Sequence, residues 1–121
     1  MRLDSNHQLY KLSKRVDWPY LESELSHFFK DNNGAQHRFM AGMVYLKDVS
    51  KMSSNEAIQQ WGKCPYWRYL CGGSEAVETT EYPYSPQLLD VWTRSLEGEG
   101  YEVLINALIR LPSRALLETA H

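Results

Sequence analysis

The chain has 121 residues, with 13 Lys and Arg against 15 Asp and Glu and a formal net charge of −2. That length suits one hydrophobic core rather than two, and 43% hydrophobic residues are enough to fill it, so one domain over residues 1–121 is expected. No apolar run nears the roughly 20 residues of a membrane span, and Met1–His7 lacks a signal peptide's apolar stretch, which points to the cytoplasm and away from a membrane partner.

Charge is unevenly spread. Residues 1–70 carry ten basic and seven acidic side chains, whereas residues 71–121 carry three and eight. Only the N-terminal half therefore offers a basic face for nucleic acid.

Leu9, Leu12 and Val16 recur at helical spacing, which predicts a short amphipathic helix with Lys11, Lys14 and Arg15 on its outer face. Asp17 suits the cap of a second helix, with Pro19 tolerated in the first turn. Trp18, Leu21, Leu25, Phe28 and Phe29 form its apolar stripe, and Asp31-Asn32-Asn33-Gly34 ends it. Residues 36–52 are apolar nearly all round, through Phe39, Met40, Met43, Val44, Leu46 and Val49. That pattern predicts the central helix of the domain, and its methionines read as packing rather than as a cofactor box. Ala41 and Gly42 side by side mark a place where another helix can come close.

Ser53 followed by Glu56 is a capping box, opening a helix that buries Ala57, Ile58 and Trp61. Pro65 interrupts it, and Tyr66-Trp67-Arg68-Tyr69-Leu70 continues as a short aromatic helix stopped by Gly72-Gly73. Cys64 and Cys71 match no zinc or redox spacing and read as reduced, partly buried thiols. A disulfide between them is the less favoured alternative, since seven residues of helix separate their Cα atoms by about 10 Å. Residues 74–84 form a polar, acidic connector with room for a brief extended pair. Ser85-Pro86 opens a helix carrying Leu88, Leu89, Trp92 and Leu96, which Gly98-Glu99-Gly100 breaks. A last helix with Tyr101, Leu104, Ile105, Leu108 and Ile109 should end before Pro112, leaving residues 113–121 to fray.

The expected fold class is therefore all-α, a bundle of five to seven helices with a helix-turn-helix-like C-terminal part. Catalytic readings find no footing. His7, His27, His37 and His121 lack the spacing of a metal pair or of a base paired with a nucleophile. Glu75, Glu78 and Glu81 in the connector, and Glu97, Glu99 and Glu102 at the helix junction, read as solvated surface. Expectation is of no catalytic or metal site, no cofactor, no small-molecule substrate and no enzyme.

Several strings carry more than periodicity. Arg15-Val16-Asp17-Trp18 is followed by Arg38-Phe39-Met40-Ala41-Gly42-Met43-Val44-Tyr45-Leu46-Lys47, then by Met52-Ser53-Ser54-Asn55-Glu56 and Trp61. Cys64-Pro65-Tyr66-Trp67-Arg68-Tyr69-Leu70-Cys71-Gly72 comes next, and Pro83, Ser85-Pro86 and Gly98-Glu99-Gly100 fall in order. Over roughly residues 9–110 the chain resembles the N-terminal domain of the InsH-type insertion-sequence transposases of family five. The Pro65–Gly72 run is the most specific part. The resemblance implies a helical domain that recognises the transposon's terminal inverted repeats. It also implies that the chemistry belongs to a separate C-terminal nuclease-like domain, where three carboxylates hold two metal ions; this chain is expected to stop before it.

One departure stands out. Where relatives read threonine, arginine, phenylalanine, arginine, lysine, arginine, leucine, this chain reads Asp90-Val91-Trp92-Thr93-Arg94-Ser95-Leu96. The core aromatic and leucine are kept, but three of four basic positions are gone and an acid has appeared. Fewer phosphate contacts mean less counterion release, hence weaker and less salt-dependent binding.

Two readings follow. In the first, the chain is a non-catalytic DNA-binding or regulatory module with weak affinity for duplex DNA, its candidate contacts being Lys11, Lys14, Arg15, Arg38 and Arg94. In the second, it is a repurposed interaction module that meets a host, phage or transposase protein, or a second copy of itself. Its candidate surface is the exposed part of Trp67, Tyr69, Tyr82, Tyr84 and Trp92.

Overall fold

Side-chain caps set where three of the helices begin. In a computed structural model, which describes residues 3–29, 36–72 and 81–108, seven helices follow one another and no strand occurs among those residues. Helix α1, Gln8–Arg15, starts at His7, whose Nδ1 accepts the Leu9 backbone N–H at 3.1 Å. Helix α2, Trp18–Leu25, starts at Asp17, whose carboxylate accepts the Tyr20 N–H at 3.2 Å; Pro19 sits in the first turn, where a missing N–H costs nothing.

Helix α3, His37–Ser50, is the axis of the fold. It buries Met40 through Leu46 without interruption, and Val49 as well, and it packs against α2, α4, α5, α6 and α7. Its C-terminus is a left-handed cap. Lys51 adopts φ 59°, its N–H reaching Asp48 O while the Met52 N–H reaches Lys47 O at 3.0 Å. Those two bonds make a Schellman motif with lysine where glycine is the usual residue.

Helix α4, Ser54–Lys63, begins with both halves of the capping box. The Glu56 N–H donates to the Ser53 hydroxyl at 3.2 Å, and the Ser53 N–H donates to the Glu56 carboxylate at 2.9 Å. Helix α5, Pro65–Leu70, follows after Cys64 alone, and Gly72 at φ +100° turns the chain away. Helices α6, Pro86–Ser95, and α7, Glu99–Leu108, are joined by residues 96–98, with Gly98 also at positive φ.

Packing divides the helices around α3. Helix α1 lies on α5, α2 on α7, and α4 on both α5 and α6. A short turn joins α6 to α7. Their main neighbours differ, however: α6 leans on α3 and α4, and α7 on α2 and α3. The close approach predicted at Gly42 is made by the end of α5. A Cβ there would sit 2.7 Å from Cys71 Sγ and 3.2 Å from its Cα, so only glycine admits this contact.

Of the side chains expected in the core, Trp18, Met43, Trp61 and Trp92 are buried. Phe39 is only partly so, because it lies near the start of α3 and turns its ring toward Tyr82 and Tyr84 at 5.5 and 5.2 Å. The turn at residues 31–34, the extended pair within 74–80, the end of the last helix and the tail at 113–121 lie outside the described residues.

Candidate nucleic-acid interface

A face built from α1 and α5 carries three exposed cations, Lys11, Lys14 and Arg15, on a defined scaffold. Leu9 and Leu12 are fully buried on the inner side of α1, which turns Lys11, Lys14 and Arg15 outward. Two aromatic rungs join this helix to α5. His7 stacks on Tyr66 with centroids 3.7 Å apart and planes within 8°, and Tyr10 stacks on Tyr69 at 4.9 Å and 5°. Each rung lies one turn beyond the other on both helices, so α1 and α5 run in parallel. The Tyr66 hydroxyl also accepts the Asp4 N–H at 2.7 Å, holding the segment before α1.

Lys14 places its ammonium 5.6 Å from the Tyr10 ring and 5.9 Å from the Tyr69 ring. One basic candidate and one aromatic candidate from the sequence thus meet at this face, and the rings fix where the charge stands. Lys11 and Arg15 flank it on the same helix, both exposed.

Arg38 occupies a different position. Its Nε donates to Leu70 O at 3.0 Å, and a terminal nitrogen donates to Ser13 Oγ at 2.8 Å and Tyr69 O at 3.1 Å. The guanidinium also lies 4.2 Å from the Trp18 ring, and burial lowers its pKa from the ordinary value. Its hydrogen bonds go to the protein, satisfying the terminal carbonyls of α5. Arg68 does the same for α4: it donates to Trp61 O at 3.0 Å and Gly62 O at 2.9 Å, and it lies 5.9 Å from the Trp61 ring. Each arginine caps a helix over a tryptophan. Sequence reasoning missed this because both sets of carbonyls come into reach only in the folded chain.

The five aromatic candidates do not form one surface. Trp67 and Trp92 are 0% and 1% exposed and belong to the core, so they offer nothing to a partner. Tyr69 stands on the α1–α5 face, while Tyr82 and Tyr84 join Phe39, Trp61 and Trp92 in a separate, mostly edge-to-face cluster. Within that cluster burial pushes the Tyr82 hydroxyl far above the ordinary tyrosine range, so it stays protonated. Both thiols are free and buried. Burial raises the pKa of each, with Arg38 opposing weakly at Cys71.

Helix α6 keeps Arg94 exposed, with Val91 beside it at 38% exposure. Thr93 and Ser95 turn their hydroxyls back to Leu89 O and Val91 O at 2.8 and 2.9 Å. Asp90 is not an idle surface acid. Its carboxylate accepts the Ser54 hydroxyl at 2.5 Å, at the first turn of α4, where the helix dipole favours negative charge. A groove of about 300 Å³ between α3, α6 and α7 is lined by Val44, Asp48, Thr93, Glu97, Gly98 and Tyr101, and the Tyr101 hydroxyl donates to Asp48 within it. Among the described residues no three His, Cys, Asp or Glu side chains cluster as metal ligands, and no helix is long and apolar enough to cross a membrane.

The family model described as Transposase domain (DUF772) matches residues 1–80, which take in α1 to α5 and with them the whole α1–α5 face. This chain belongs to that transposase domain family. An uncharacterized protein of Rhizobium meliloti, ORF8 in the nfe locus, is 25% identical over 103 residues, covering 84% of this chain and 49% of that protein. The transposase-family chain thus spans about half the length of this curated relative. No solved structure matches it.

Proposed function

We propose that this transposase-family domain is a non-catalytic module that contacts duplex DNA through the α1–α5 face. The observation that carries the reading is the outward row of Lys11, Lys14 and Arg15, on a helix whose opposite side is locked into the core. Two other basic residues of the family strings, Arg38 and Arg68, are engaged as helix caps. Three cations and an isolated Arg94 support only a modest counterion-release term. Affinity should therefore be weak and nonspecific, roughly 10⁻⁴–10⁻⁶ M at physiological salt.

Fluorescence anisotropy of a labelled duplex across a salt series tests this. Replacing Lys11, Lys14 and Arg15 together by Ala should abolish binding, with the circular dichroism of the fold retained. Nanomolar, sequence-selective binding that survives the triple change would refute the assignment of this face. Magnesium added to the complex should yield no strand cleavage; nicked product would overturn the non-catalytic reading.

A second reading, an interaction module with a protein partner, draws on α6. Its outward surface carries Val91 and one cation, where the resemblance to the family-five transposases implies a basic run. Complete absence of DNA binding at low salt would favour it.

A further inference from the structure

Arg38 touches three elements that meet behind the basic helix. Its terminal nitrogen holds Ser13, the residue just before Lys14. Its other bonds hold the carbonyls that end α5, and its planar group covers Trp18 at the start of α2. Trp18 in turn donates its indole N–H to Ser13 O at 2.9 Å, so Ser13 is gripped through both its side chain and its backbone. Gly72 lies beside the same side chain, where a Cβ would stand 3.5 Å from Arg38 Cδ in ordinary van der Waals contact.

We infer that Arg38 is a positioning residue, the clamp that fixes α1 on α5 and so sets how Lys11, Lys14 and Arg15 are presented to DNA. The inference rests on the DNA-contact reading for its consequence, while its structural half stands independently. Ser13 is 5% exposed and lies on the inner side of α1, so it cannot itself reach a phosphate. Any effect of Ser13 on DNA must pass through the helix. Lysine cannot replace arginine in this role, because three acceptors of different direction need the fork of donors that only a guanidinium supplies.

Amide hydrogen exchange of residues 8–16 and anisotropy with a labelled duplex, both on the full chain, test it together. Ser13→Ala removes one anchor and leaves the α5 carbonyls satisfied; Arg38→Lys keeps the charge and loses the fork. Both should speed exchange in α1 while α3 amides stay protected, and both should raise Kd on the order of tenfold. Unchanged α1 exchange in Ser13→Ala overturns the clamp. Faster exchange with unchanged affinity overturns its role in presentation. Full affinity in Arg38→Lys, with loss only in Arg38→Gln, would mean a direct phosphate contact and would also overturn it. If the unmodified protein binds no DNA, the proposed function fails, and faster α1 exchange still identifies Arg38 as the residue that orders this helix.

Discussion

Lys51 bears a conformational cost that no other described residue with a side chain bears. It is the one non-glycine among the described residues with positive φ, at 59°, where the Cβ crowds its own backbone. The Schellman bonds from its N–H and from Met52 hold it there, and its side chain is exposed. Lys51→Gly should therefore stabilise the fold by about 1 kcal/mol, read as a higher urea midpoint with unchanged m value. A lower midpoint would mean that the lysine side chain contributes more than the strain it brings. No sequence signal announces this cap, because Met52 and Ser53 look like ordinary helix-exit residues and the turn is imposed by α4 starting immediately afterwards.

At the scale of the element, what was legible in the sequence was chemistry completed within a few residues. Ser53 and Glu56 lie one turn apart and close the capping box without help from the rest of the chain. Asp17 ahead of Trp18-Pro19 works the same way, as does the all-round apolarity that makes α3 the axis. The uses of Arg38, Arg68 and Asp90 were not legible. Their partners Leu70, Trp61 and Ser54 carry no sign of a pending hydrogen bond, and two of the three lie more than thirty positions away. The capping box also yields a prediction with a pH signature. Ser53→Ala should cost on the order of 1 kcal/mol near neutral pH. Hydrogen bonds from the Ser53 backbone and side chain hold the Glu56 pKa below the usual glutamate value. A depressed carboxylate contributes stability that is present above its unfolded pKa and is lost as pH falls through the folded one. Ser53→Ala keeps that backbone N–H, so the pH signature belongs to Glu56→Ala: its gap from the parent should be full above the ordinary glutamate range and shrink below it. Thermal melts at several pH values would show this; a gap independent of pH would remove Glu56 from the cap.

Over the whole molecule, charge rather than shape limits what the domain can do. Its core is intact from α1 through α7, so positions 91, 93 and 95, where the resemblance implies arginine, stand on an ordered helix. They are not equivalent, however. Val91 points to solvent beside Arg94, and Ser95 is half-buried with its hydroxyl turned back to Val91 O, so an arginine at either can extend outward along α6. Thr93 instead lines the groove shared with Val44, Asp48 and Tyr101, where an arginine would be drawn toward Asp48 and away from solvent. Val91→Arg with Ser95→Arg should therefore strengthen duplex binding. The slope of log K against log salt should steepen by up to about 0.9 for each new phosphate contact, while Thr93→Arg alone leaves it unchanged. Anisotropy over a salt series reads both quantities in one experiment. Equal slopes for the double variant and its parent would mean that α6 faces away from the duplex, and that DNA contact rests on the α1–α5 face alone.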